Sequence, residues 1–148
     1  MSKKDRRSSV SDLLERIGHR EIPTLPTQAE RADWVRALDR YRCNRLFYVV
    51  DEQNRLKGAL AVKDLVRFLL AQDHLPQVHG RRLLSLITGE RAEELMIQHP
   101  LFCTPEEEVR ALLRRMIDSN VKEVPVLDAQ GKVIGELTLV DLVVYLET

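Results

Sequence analysis

The residues best suited to chemistry are a hydroxyl and a carboxylate three positions apart, Thr138 and Asp141, with a second carboxylate, Asp64, at the corresponding point of the other half of the chain. At that spacing the pair can cap a helix: the threonine oxygen takes an orphan backbone N–H, and the acid sits in the first turn, where the helix dipole favours negative charge. Asp64 has the same dipole rationale but no hydroxyl, because Ala61 stands where a threonine would. No catalytic set accompanies them. Ser8, Ser9 and Ser11 lack a histidine and an acid in motif context, Cys43 and Cys103 have no activating neighbours, and there is no glycine-rich phosphate loop. The histidines, His19, His74, His79 and His99, read as loop residues rather than metal ligands. The residues therefore argue against an enzyme, a metal site and a catalytic cofactor.

The elements that must hold these side chains are written twice. Shifting the sequence by 77 positions superposes Thr27 on Thr104, Glu30 on Glu107, Val49 on Val126, Asp51 on Asp128, Gly58 on Gly135 and Asp64 on Asp141. The matches fall at caps, turns and strand ends, where backbone geometry chooses the residue, and that pattern marks a repeat. Each copy is expected to open with a helix capped by Thr27-x-x-Glu30 or Thr104-x-x-Glu107, the second with Pro105 at its first position. Val109, Leu112, Leu113, Met116 and Ile117 make one apolar stripe on the second of these helices, and Trp34, Val35, Leu38 and Tyr41 a less regular one on the first. Trp34 and the other aromatics in such stripes read as core. A hairpin follows in each copy, at 46–61 and 123–138, with Asn54 and Gly131 at the turn position that favours φ > 0. Closing helices begin at Asp64 and Asp141. Short helices at about 10–18 and 91–97 precede the copies, giving a polar tail at 1–7, a first repeat at 8–72, a connector at 73–90 and a second repeat at 91–148. The connector's apolar residues suggest that it covers an edge.

Bulk properties fit this reading. With 148 residues, 44% hydrophobic and 31% charged, the chain can build a packed soluble fold, but each half alone would be marginal, so a shared core is expected. Its 23 basic and 23 acidic side chains cancel, leaving no field to favour nucleic acid or an anionic membrane. The polar start has the character of neither a signal peptide nor an anchor, and the two cysteines fit no disulfide framework, so a reducing cytoplasm is the expected compartment.

A tandem β-α-β-β-α unit with "hydrophobic-P-V-x-D", a turn and "G-x-x-T-x-x-D" resembles the cystathionine-β-synthase (CBS) domain family, and VPVLDAQGKVIGELTLVDLV carries nearly the whole motif. The first copy departs from it at Tyr48, in place of the proline, and at Ala61. The resemblance implies an α/β fold, two CBS repeats with pseudo-twofold symmetry forming one compact module of two roughly three-stranded sheets, with clefts between the repeats. It also implies that these clefts hold AMP, ADP, ATP or S-adenosylmethionine as regulatory ligand. Carried over by position, Thr138 and Asp141 would hold the ribose in one site and Asp64 in the other. Two hydroxyls donating to one carboxylate is sound chemistry for that task. Arg45 and Lys122 would meet phosphate, and Thr24 and Leu101 the base. Glu136 stands where the family places a small apolar residue against adenine, as Ala59 does in the first copy.

The function expected from this resemblance is a regulatory module whose nucleotide biases the two halves, read by a protein supplied in trans. A ligand-free scaffold that assembles through its helices is the alternative, supported by the departures at Tyr48, Ala61 and Glu136. A homodimer is expected on either reading. The closing helices, with Leu142, Val143, Val144, Tyr145 and Leu146 in one and Leu65, Val66, Phe68, Leu69 and Leu70 in the other, are apolar nearly all round and need burial on more than one side. Neither nucleic acid nor membrane insertion is expected.

Overall fold

The computed structural model describes residues 8–74 and 95–148. It falls into two compact units that divide at Ile22/Pro23 and Pro100/Leu101, so the segment leading into each repeat packs with the other one.

The first-repeat unit is a four-stranded sheet in the order β1-β2-β3-β4, with helices α2 and α3. Strand β1 (Thr24–Pro26) runs parallel to β2 (Leu46–Val50), which pairs with β3 (Leu56–Ala61) as the expected hairpin. The short β4 (Ile97–Gln98) adds antiparallel to β3, with Gly58 opposite Gln98. A Cβ at Gly58 would come within 2.7 Å of the Ile97 carbonyl oxygen, so only glycine lets β4 approach. Helix α2 (Arg31–Arg40) and helix α3 (Val62–His74) supply Trp34, Ala37, Leu65 and Phe68 to a core with Phe47, Val49 and Leu60. The Trp34 and Phe68 rings meet edge to face with centroids 5.1 Å apart, so Trp34 is a packing residue, as its stripe implied.

The second-repeat unit contains α1 (Val10–Ile17), α4 (Val109–Asp118), the hairpin of β5 (Glu123–Leu127) and β6 (Val133–Thr138), and α5 (Leu139–Glu147). Cys103 extends this two-stranded sheet by a parallel bridge to Val126. The sheets are thus four-stranded and two-stranded plus a bridge, rather than three-stranded twice. The core joins Val10 and Leu13 of α1 to Leu112 and Met116 of α4, Val124, Val126 and Leu137 of the hairpin, and Leu142 and Tyr145 of α5.

The repeat is clearest in the turns. Asp51 Oδ1 accepts the backbone N–H groups of Gln53 and Arg55, each at 2.9 Å, and Asp128 Oδ1 accepts those of Gln130 and Lys132 at the same distance. Asn54 (φ 63°) and Gly131 (φ 81°) take the left-handed conformation expected of them, and both hairpins carry an irregularity one residue before the aspartate.

The expected helix starts are corrected. Thr27 and Thr104 cap nothing; the helices begin at Arg31 and Val109, and Pro105 lies in a turn ahead of the second. In the second repeat the chain from Pro105 to Val109 is diverted into pairing with the start of the protein: Ser11 N–H donates to the Pro105 oxygen, Val10 N–H to that of Glu107, and Val109 N–H to that of Ser8. In the first, Thr27 N–H continues the strand register by donating to Val50, and Asp33 rather than Thr27 supplies the cap, accepting the Glu30 N–H at 3.0 Å. Of the helix expected over 91–97, residues 91–94 lie outside the described residues; Leu95 is helical, and Ile97–Gln98 form strand β4. The tail at 1–7 and the connector beyond His74 lie outside the described residues.

Candidate functional site

Strand β6 delivers Thr138 to the first position before α5, and the strand runs into the helix without a loop. Thr138 Oγ1 accepts the Asp141 N–H at 3.1 Å, and Asp141 Oδ2 accepts the Thr138 N–H at 2.8 Å, a reciprocal capping box. The carbonyl of Lys122 takes the Leu139 N–H at 2.9 Å, and the carbonyl of Arg45 does the same for Val62 at the start of α3. The backbones of these two basic residues therefore seat the closing helices, while their side chains are exposed.

A residue that the sequence did not single out completes the site. Arg20, in the segment after α1, lays its guanidinium flat against Asp141: Nη2 donates to Oδ2 at 2.7 Å and Nη1 to Oδ1 at 3.1 Å. Nη2 also donates to the Glu136 carbonyl oxygen at 2.7 Å. Burial works to raise the Asp141 carboxyl, but the Arg20 fork and the Thr138 N–H outweigh it and hold the group below the usual carboxylate range. Arg20 was invisible because it belongs to no motif and acts across 121 residues of sequence. The 77-residue offset pairs it with Ile97, which sits at the corresponding sheet edge of the other repeat and cannot make this contact.

Arg20 and Glu136 line a cavity of about 370 Å³, together with Ile17, Gly18 and Ile22 from the segment after α1 and Ile134 and Gly135 from β6. Leu14, Glu15 and His19 also line it. The lining thus combines leucine and isoleucine side chains with charged and polar residues. Leu101, nominated for the base, packs partly buried against the core of this unit.

The other nominated residues lie in the first-repeat unit. Asp64 is in the first turn of α3, with Arg67 Nη1 3.9 Å from its carboxylate, and Ala61 leaves the helix start without a side-chain cap of the Thr138 kind. Thr24 opens β1 opposite Tyr48, whose ring is fully buried. Arg45 immediately precedes β2. Glu136, Thr138 and Asp141 thus stand together with Arg20 in one unit, and Asp64, Thr24 and Arg45 in the other. Among the described residues no group of three or more histidine, cysteine or acidic side chains could hold a metal ion, and no helix is long and apolar enough to cross a membrane.

The CBS domain model matches the chain twice, over residues 9–71 and 92–148. Among curated proteins the chain is 29% identical over 100 residues to the magnesium transporter MgtE of Thermus thermophilus, covering 68% of this chain and 18% of that one. It is 33% identical over 94 residues to a CBS domain-containing protein of Dictyostelium discoideum, covering 64% and 63%. The chain therefore spans less than two thirds of the length of either. Among solved structures, a CBS domain-containing protein from Thermotoga maritima superposes with a TM-score of 0.69 at 20% identity, covering 95% and 94% of the two chains. CBSX2 in complex with AMP does so with 0.67 at 22%, covering 92% and 93%. A CBS domain pair in complex with 5′-methylthioadenosine and S-adenosyl-L-methionine gives 0.65 at 20%, covering 92% and 93%. With two matched repeats over most of its length, the motif residues at the hairpin and helix start, and this fold, the chain belongs to the CBS-domain family.

Proposed function

We propose that this chain is a regulatory module that binds an adenine nucleotide, AMP, ADP or ATP, or alternatively S-adenosylmethionine, and passes the signal in trans to a partner protein. The observation that carries the reading is the Asp141 carboxylate, held ionised at the start of α5 and joined through Arg20 to a partly apolar cavity. A carboxylate in that state accepts two hydroxyl donors from a ribose, and Thr138, whose oxygen accepts a bond within the cap, keeps its own proton to donate. Ile22, Ile134 and Gly135 offer a flat base the apolar surface it needs. The solved relatives that hold AMP or S-adenosylmethionine are consistent with this ligand class. Lys122, Leu101 and Glu136, in the same unit as Asp141, are its secondary contacts in the proposal; Asp64 is the ribose acceptor of a second, weaker site, with Thr24 and Arg45 of its own unit as the contacts there.

The test is a thermal-shift and calorimetric screen of AMP, ADP, ATP and S-adenosylmethionine. A ligand at a hundred times its dissociation constant adds about 2.7 kcal/mol of stability, a rise of several degrees for a chain of this size. Asp141→Ala should remove most of that rise and Asp64→Ala less. The scaffold reading has its own support, since Thr138 and Asp141 are engaged in a cap and Ala61 removes the matching hydroxyl from the first repeat. It takes over if no nucleotide shifts the protein at millimolar concentration.

A further inference from the structure

We infer that Arg20 is a built-in occupant of the ribose-binding carboxylate, and that it makes the Asp141 site selective for phosphorylated nucleosides over uncharged ones. The inference rests on the nucleotide reading above and goes beyond it by naming the ligand's charge and the residue that selects it.

Arg20 presents two parallel N–H donors to the two oxygens of Asp141, the pattern a vicinal diol would present with two O–H donors. One of those oxygens also takes the Thr138 N–H, and only 16% of the Asp141 side chain remains accessible. A ribose therefore cannot gain both oxygens without displacing the guanidinium. Displacement separates a cation from its carboxylate, and every nucleoside that binds there meets that cost. A neutral nucleoside returns nothing for it. A nucleotide carries its own anion, so the displaced guanidinium can exchange the carboxylate for a phosphate.

The surroundings sharpen the contrast. Glu15 and Glu136 line the same cavity, so a phosphate entering without the charge of Arg20 would face two carboxylates. Arg20 is tethered beside the cavity, and 41% of its side chain is already exposed, which leaves it room to swing from one anion to the other. The other repeat offers a comparison among the described residues: Ile97 occupies the matching position and carries no charge, and Arg67, whose Nη1 lies 3.9 Å from the Asp64 carboxylate, does not make the short fork that Arg20 makes with Asp141.

The experiment is calorimetric titration of AMP and of adenosine into the wild type, Arg20→Gln, Arg20→Lys and Asp141→Ala. Wild type should bind AMP about tenfold more tightly than adenosine, since both meet the cost of displacing the pair and only AMP regains a charge-assisted contact, worth about that factor. In Arg20→Gln, adenosine should tighten by about three- to tenfold while the AMP preference collapses towards unity. Arg20→Lys keeps the charge but loses the fork, so adenosine should tighten and the preference for AMP should persist. The carboxyl pKa of Asp141, followed by NMR in the ligand-free proteins, should rise in Arg20→Gln, a readout of the clasp that needs no ligand. If Arg20→Gln leaves both the adenosine affinity and the AMP preference of the wild type unchanged, while Asp141→Ala abolishes binding of both, the inference is wrong and the nucleotide reading stands. If neither AMP nor adenosine binds the wild type or any Arg20 variant, the inference falls, and the nucleotide reading falls with it only if ADP, ATP and S-adenosylmethionine also fail in the thermal-shift screen.

Discussion

Asp141 caps α5 through Thr138 and holds the fork of Arg20, so its loss should be felt in the ligand-free protein. A cap contributes ~1 kcal/mol, and the pair with the half-exposed Arg20 adds at most about 1 more after solvent screening. Asp141→Ala should therefore lower unfolding stability by about 1–2 kcal/mol, measured by urea denaturation at neutral pH. The pH dependence has a definite sign. Its folded carboxyl lies below the unfolded value of about 3.9, so the stabilisation is complete above that value and is lost as pH falls through the folded one. The gap between wild type and Asp141→Ala should accordingly hold down to about pH 4 and narrow below it, and an unchanged gap there would show that the clasp is not formed in solution. The cysteines offer an independent check at this scale. Burial, with the nearby Glu107 charge, pushes the Cys103 thiol up to about 12, whereas Cys43 is exposed. A disulfide reagent should titrate one thiol in the native protein and a second only after unfolding.

Among the elements, the two hairpins are near-copies in sequence and in bonding, yet the residues around their matching glycines set different tolerances. A Cβ at Gly58 would meet Met96 Sδ at 2.5 Å and the Ile97 backbone oxygen at 2.7 Å, so β4 itself must move. At Gly135 the nearest atom is Leu14 Cδ2 at 3.0 Å, the far end of a side chain that can turn aside. Gly58→Ala should thus cost roughly 1–3 kcal/mol and weaken amide protection at Ile97 and Gln98, while Gly135→Ala should cost less. Equal effects would mean that β4 is not seated on β3. This contrast also marks how far sequence alone could reach. Hairpins, turn aspartates and closing helices were legible because each is fixed by residues within a few positions of one another. The helix starts were misread because Thr27 and Thr104 have the right local chemistry for a cap, but their chain segments pair with distant backbone instead. Arg20 was missed for the same reason: a side chain recruited across the fold leaves no spacing to recognise. The Thr138–Asp141 capping box was legible because its two residues lie three positions apart.

At the scale of the whole molecule, the strongest expectation concerns assembly. Helix α5 buries Leu142, Tyr145 and Leu146 in its own unit and leaves Val140, Val143 and Val144 exposed, three valines on one side at helical spacing. Helix α3 likewise buries Leu65 and Phe68 and exposes Val66 and Leu70. Each unit thus presents an apolar helix face beyond what its own sheet covers, and valine has no polar end to offer water. A second copy of the chain is the occupant we propose, since a self-complementary face closes at a dimer and shields both surfaces at once. Val144→Glu places a charge on that face without touching Leu142 or Tyr145, so the protomer should keep its fold and its far-ultraviolet dichroism. Light scattering at tens of micromolar should give a dimeric mass for the wild type and a shift towards monomer for the variant, with the dissociation constant weakened about tenfold or more by the desolvation of an unpaired carboxylate. A wild-type monomer at that concentration would overturn the expectation and leave the valine faces for the regulated partner.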